Sequence, residues 1–195
     1  MEIYFSTDVE SDGPYPGAYS MLSFGTAAFN PQGNLIGTFE ANLETLPGAK
    51  QHPDTMRFWS EQPDAWAACR TDCKAPQEVM PAYVKWVEDV IKPYQELYGK
   101  KVKPVTVGFP ITFDFAFMNY YMGEFAKYNP FSFSALDIKT LAMVVLGKEF
   151  RQCTKRNFPK RWFSEKKHTH IGIDDAIEQG EMFFNILKES RELKC

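Results

Sequence analysis

No run in the 195 residues approaches the roughly 20 consecutive apolar positions that a bilayer-spanning helix needs, so no membrane contact is expected. The start of the chain also lacks a charged segment followed by an apolar one. Met1 to Asp8 reads instead as a short strand, and a cytoplasmic location is expected. Cysteine is scarce: Cys69 and Cys73 form a CxxxC pair, and Cys153 and Cys195 are scattered. That number is too small for a secreted disulfide framework and the spacing fits no structural zinc site, so free thiols are expected. An excess of positive charge is missing too. With a net charge of -3 and a pI near 5.7, any contact with nucleic acid must rely on a local patch. Internal repeats, low-complexity tracts and Gly/Ser linkers are absent, which points to one domain over residues 1–195.

What is present is a large apolar and aromatic share, 44% and 15%, enough for a substantial core. Ile3 to Asp8, Met21 to Phe29 and Leu35 to Leu43 have strand character, with turn residues at Asp12-Gly13-Pro14 and from Asn30 to Asn34. They predict an antiparallel meander. Beyond Gly48 the pattern becomes helical: Pro53 to Ser60, Asp64 to Asp72, and a longer helix from Pro76 to Tyr98. In the last of these Val79, Tyr83, Trp86, Val87, Val90 and Ile91 recur on one face. Val102 to Phe109 reads as a strand, Thr112 to Tyr128 as a helix, Ser132 to Asp137 as a strand and Thr140 to Leu146 as a helix. A final helix is predicted from about Ile173 to Glu192, with Ala176, Met182, Phe183, Ile186 and Leu187 inward. Parallel strands need long crossovers, so a meander followed by alternating helices and strands predicts an α/β class with a mixed sheet covered by helices.

Three groups of residues carry chemistry. Asp8 and Glu10 close the first strand at i and i+2, so both carboxylates point to one side and could bind hard divalent cations. Asp114 is a lone acid inside Ile111-Thr112-Phe113-Asp114-Phe115-Ala116-Phe117, where a charge needs a partner, a metal or a helix start. In His170-Ile171-Gly172-Ile173-Asp174-Asp175 a histidine stands five residues before Asp175. A glycine-containing loop could bring the imidazole near the carboxylate, as proton abstraction from water requires. Singly, each group also fits a plain structural role: a solvated strand end, a helix start, an N-cap.

Their order, DxE, then a phenylalanine-flanked Asp, then HxxxxD, resembles the histidine-containing branch of the DEDD exonucleases from Ile3 to Asn185. Ser23-Phe24-Gly25 and the segment from Ala135 to Ala142 add to the resemblance. It implies a ribonuclease H-like fold with a mixed five-stranded sheet, and a metal-dependent 3′-5′ exonuclease releasing nucleoside 5′-monophosphates from single-stranded ends or 3′ overhangs. It also implies two divalent cations, Mg²⁺ or Mn²⁺, held by Asp8, Glu10, Asp114 and Asp175, with Asp8 bridging and His170 as general base. Many relatives in that branch are homodimers, so a homodimer is expected by analogy. The segment His52-Pro53-Asp54-Thr55-Met56-Arg57-Phe58-Trp59 with Gln62-Pro63 resembles a bacterial and phage subset with an RNA-degrading member. RNA is therefore slightly favoured, with an exodeoxyribonuclease as the alternative and a non-catalytic nucleic-acid-binding module as a weaker one. Two departures stand out: Val107 to Ile111 is wholly apolar where relatives often carry a polar residue, and Asp12-Gly13 replaces Thr-Gly.

The local basic patch that the acidic total demands lies in Lys148 to His168. Arg151, Lys155, Arg156, Lys160 and Arg161 could hold phosphates, and the interleaved aromatics, Trp162 among them, could stack on bases. The same aromatics could equally anchor a solvated loop.

Overall fold

The computed structural model describes residues 1–99, 101–163 and 172–192. Five strands form one sheet in the order β3-β2-β1-β4-β5: β1 (Glu2–Ser11), β2 (Met21–Phe29), β3 (Leu35–Asn42), β4 (Lys103–Gly108) and β5 (Leu136–Asp137). The first three make the predicted antiparallel meander, while β4 runs parallel to β1 and β5 parallel to β4. The helices are α1 (Pro53–Ser60), α2 (Pro63–Cys69), α3 (Pro76–Tyr98), α4 (Ile111–Tyr121), α5 (Ile138–Leu146) and α6 (Gly172–Glu192). The fold is thus the α/β, ribonuclease H-like arrangement of a mixed five-stranded sheet flanked by helices.

Alternation along β1 sorts its side chains between the two faces. Ile3, Phe5 and Val9 join the core beneath α3 and α4, with Val79, Tyr83, Val87, Phe117 and Tyr121. Tyr4 packs on the opposite face against Phe183 and Phe184 of α6, and Ser6 meets Gln179 of the same helix. Asp8 and Glu10 continue the face that α6 covers.

Close approach of α6 depends on small residues in β2. A Cβ on Gly25 would lie 2.3 Å from the Gly172 carbonyl carbon and 2.3 Å from the Ile173 nitrogen, so only glycine fits opposite the helix start. Further along, the Phe29 ring occupies the place where a Gly180 side chain would be, its nearest atom 2.2 Å from that Cβ position.

Two predicted elements differ in extent. The strand expected from Ser132 shrinks to Leu136–Asp137 because Ser132 takes a left-handed turn with φ 64, and β5 pairs only with Val107 and Gly108. The helix expected to reach Tyr128 leaves α-geometry after Tyr121 in a wider turn, Met122–Ala126, and ends at Lys127 in a left-handed conformation. No described helix is long and apolar enough to cross a membrane. Cys69, Cys73 and Cys153 are free thiols.

Candidate active site

Four carboxylates from three elements meet where β1 and β4 end. Asp8 and Glu10 arrive on one face of β1, paired across to Gly25 and Ser23 of β2. Asp175 lies in the first turn of α6, which the glycine at position 25 admits, and it is only 2% exposed, whereas its neighbour Asp174 is exposed. Carboxylate oxygens of Asp8, Glu10 and Asp175 lie within 4.8 Å of one another.

Asp114 enters from the first turn of α4, directly after β4. It is 5% exposed, and its Oδ1 accepts a hydrogen bond of 3.0 Å from the Val9 backbone N–H, between the two β1 acids. The lone acid among aromatics is therefore tied to the DxE strand.

So many acids in one buried place cannot all ionise cheaply. Burial, and then the charges of Asp8 and Asp175, push the Glu10 carboxyl up to about 9. Burial ahead of the Asp8 charge likewise holds Asp114 well above the ordinary carboxylate range, against the opposing Val9 N–H. Convergent acids under mutual repulsion suit divalent cations, whose charge removes the penalty and whose hardness selects oxygen ligands.

A thermal measurement checks this. Glu10 ordinarily ionises near 4.5, so between that pH and about 9 the folded metal-free protein keeps a proton that the unfolded chain has lost. Stability must then fall as pH rises through that window. In EDTA the Tm is expected to drop by about 5 °C or more between pH 6 and pH 8, taking a few degrees per kcal/mol at this chain length. Saturating Mg²⁺ or Mn²⁺ should raise Tm and flatten the slope.

Two residues of the site had escaped the sequence reading. Gln179, 3% exposed, donates from Nε2 to Ser6 Oγ at 3.1 Å and to the Thr7 carbonyl at 3.0 Å, pinning α6 to β1 one turn beyond Asp175. Glu178 is 8% exposed and pairs with Lys155 at 3.5 Å. Polar residues at buried helical spacing after Asp175 were the available signal.

The basic segment divides by exposure. Trp162 is 1% exposed, packs on Phe158 and donates its indole N–H to Glu189 at 2.6 Å. Its ring faces are covered, so stacking of Trp162 on a base is corrected to the anchoring alternative. Arg161 forks onto the same Glu189 at 2.6 and 3.0 Å, and Lys155 is held by Glu178. Arg151, Arg156 and Lys160 are exposed and have no ion-pair partner among the described residues. His170 lies outside the described residues.

A mixed sheet with four carboxylates gathered where β1 and β4 end suits divalent cations of the kind that hydrolyse phosphodiesters. The comparisons narrow it. No family model matches the chain. It is 30% identical over 194 residues to a 3′-5′ DNA exonuclease, Cap18, of Escherichia coli, covering 99% of this chain and 96% of that one. Among solved structures, a 3′-exonuclease recognising the 3′ end of a histone mRNA stem-loop superposes with a TM-score of 0.62. That pair is 14% identical and covers 98% of this chain and 63% of that one. Pop2p of S. pombe, in a Mg²⁺- and Mn²⁺-bound form, gives 0.58 at 14% identity, covering 94% and 82%. The chain belongs to the DEDD-type 3′-5′ exonuclease superfamily and is a 3′-5′ exonuclease acting on nucleic acid.

Proposed function

We propose that this enzyme degrades single-stranded DNA, or a single-stranded 3′ overhang, from its 3′ end and releases nucleoside 5′-monophosphates. The observation that carries the reading is the convergence of Asp8, Glu10 and Asp175 within 4.8 Å, with Asp114 bonded to the strand between them. These four acids would hold two divalent cations, Mg²⁺ or Mn²⁺. When bound, such ions lower the pKa of water and neutralise charge on the leaving 3′ oxygen.

The chain's own part is to fix that constellation and to move a proton. Asp8, Glu10 and Asp175 are presented by rigid elements, and Gln179 keeps α6 seated on β1. His170 would take the proton of the attacking water, as an imidazole titrating near neutrality can. That role is the one the resemblance implies for the histidine five residues before Asp175. A cleft of about 580 Å³ opens beside Ser23, the cross-strand partner of Glu10, and reaches Ile173, Phe39 and Lys74, which leaves room for a terminal nucleotide. Arg151, Arg156 and Lys160 are the cations available for the phosphate backbone.

DNA is preferred to RNA because the relative matched over nearly the whole chain is a DNA exonuclease. The segment that leaned towards RNA has a packing explanation: it forms α1, whose Trp59 is 3% exposed and donates its indole N–H to the Ser11 carbonyl at 2.9 Å.

Matched 5′-labelled DNA and RNA strands, single-stranded and with 3′ overhangs, test this with Mg²⁺ or Mn²⁺. The expected result is stepwise shortening from the 3′ end, faster on DNA, and abolished by EDTA. Faster loss of RNA would reverse the sugar assignment. A His170→Ala protein working at the wild-type rate would remove the general base.

A further inference from the structure

The loop that joins β1 to β2 leaves the sheet after Ser11, one residue past Glu10, and is fastened by several hydrogen bonds. Asp12 N–H donates to the Ser20 carbonyl at 3.0 Å, Ser20 N–H to Asp12 Oδ1 at 2.6 Å, and Ser11 Oγ to the Gly13 carbonyl at 2.7 Å. From outside, His52 N–H bonds the Asp12 carbonyl at 2.8 Å and Lys50 N–H the Ala18 carbonyl at 2.9 Å. The Asp12 carboxylate is thus consumed in closing the loop.

What the loop presents is aromatic. Tyr15 is 56% exposed and sits between Pro14 and Pro16, whose rings restrict the backbone on both sides of it. Its ring meets Tyr19 edge-to-face at 5.1 Å, and Tyr19 meets His52 at 5.7 Å. The Tyr19 ring lies against Gly13, where a Cβ would come within 2.1 Å of it. Tyr120, at the far end of the helix that carries Asp114, is 38% exposed and reaches the loop at Gly17, 3.5 Å from that residue's Cβ position. Six residues of α-helix separate it from Asp114, about 9 Å along the axis. Tyr15 and Tyr120 are thus exposed rings, the first braced by the half-buried Tyr19, on the loop that follows the β1 acids and on the helix that carries Asp114, and they suit unpaired bases, which stack on aromatics whatever their sequence. Duplex bases keep their faces covered by their own neighbours.

We propose that Tyr15, Tyr19 and Tyr120 form a stacking platform for the unpaired bases of the strand that leads into the carboxylate cluster, which selects single-stranded ends. The proposal rests on the reading of the site given above. Because the loop is already fixed, little ordering is needed on binding.

The test separates binding from chemistry. A single-stranded DNA oligonucleotide with 2-aminopurine near its 3′ end is titrated in Ca²⁺, and cleavage is followed in Mg²⁺ or Mn²⁺ on the same strand and on the p-nitrophenyl ester of thymidine 5′-monophosphate. In wild type the fluorophore should be quenched. Tyr15→Ala is expected to weaken binding and raise KM on the strand by roughly tenfold, with kcat on the small ester within about twofold of wild type. Tyr15→Phe should restore binding, since a ring face and not the hydroxyl is required. Wild-type quenching and KM in both Tyr15→Ala and Tyr120→Ala would overturn the platform, as would a change only in self-association, which would make the patch a protein interface. Quenching without cleavage of any strand would instead overturn the enzymatic reading and leave the platform standing.

Discussion

Glu10→Gln is expected to lose on the order of 10³ or more in kcat and, in EDTA, to melt higher than the wild type. The first effect follows from the acid's place in the cluster: if Glu10 is a ligand of the proposed cations, losing it removes several kcal/mol of charge stabilisation, and about 1.4 kcal/mol is tenfold in rate. The second follows from the burial, and then the charges of Asp8 and Asp175, that lift Glu10 to about 9. An amide of the same shape is neutral without taking up a proton on folding, so the metal-free fold is relieved of a cost that the active protein carries for function. Melting in EDTA gives a larger difference at pH 8 than at pH 6, a gain of about 5 °C or more. Loss of activity with an equal loss of Tm would show that Glu10 serves packing instead.

Gly25→Ala should be the most damaging single methyl group in the chain. The added carbon has to share space with backbone atoms of Gly172 and Ile173 at 2.3 to 2.4 Å, and backbone cannot rotate away as a side-chain tip can. Either α6 lifts from β2 or β2 bends. Overpacking of this kind costs about 1–3 kcal/mol or more, and a shift of about 1 Å in Asp175 is enough for a roughly hundredfold fall in kcat. Ala27→Gly, on the same face of β2, leaves the helix start untouched and should keep most of the activity at a modest loss in Tm. If Gly25→Ala retains wild-type kcat, the seating of α6 does not set the site.

The contrast between these residues explains what could be read from sequence. Asp114 was legible as an acid in a place where an acid is costly, and Asp8, Glu10 and Asp175 through the order of acids along the chain that carried the resemblance. The meander, α3 and β4 were legible through periodicity. Gln179 and Glu178 were legible only as polar residues at helical spacing after Asp175, because their partners Ser6, Thr7 and Lys155 are distant in sequence. Trp162 misled for a related reason. Basic and aromatic residues alternate there in short 3-10 turns, and only the packing shows that Trp162 and Phe158 turn inward while Arg156 and Lys160 stay outside. Ser132 gave no sign of its left-handed backbone.

The bonds from Gln179 to Ser6 and Thr7 span 173 and 172 positions. A centre closed by contacts of that reach cannot exist in any intermediate in which α6 has yet to dock. Loop-closure entropy makes such docking late. The nuclease is in this sense its own timer: until α6 docks, the cage holds three of its four acids and lacks Asp175.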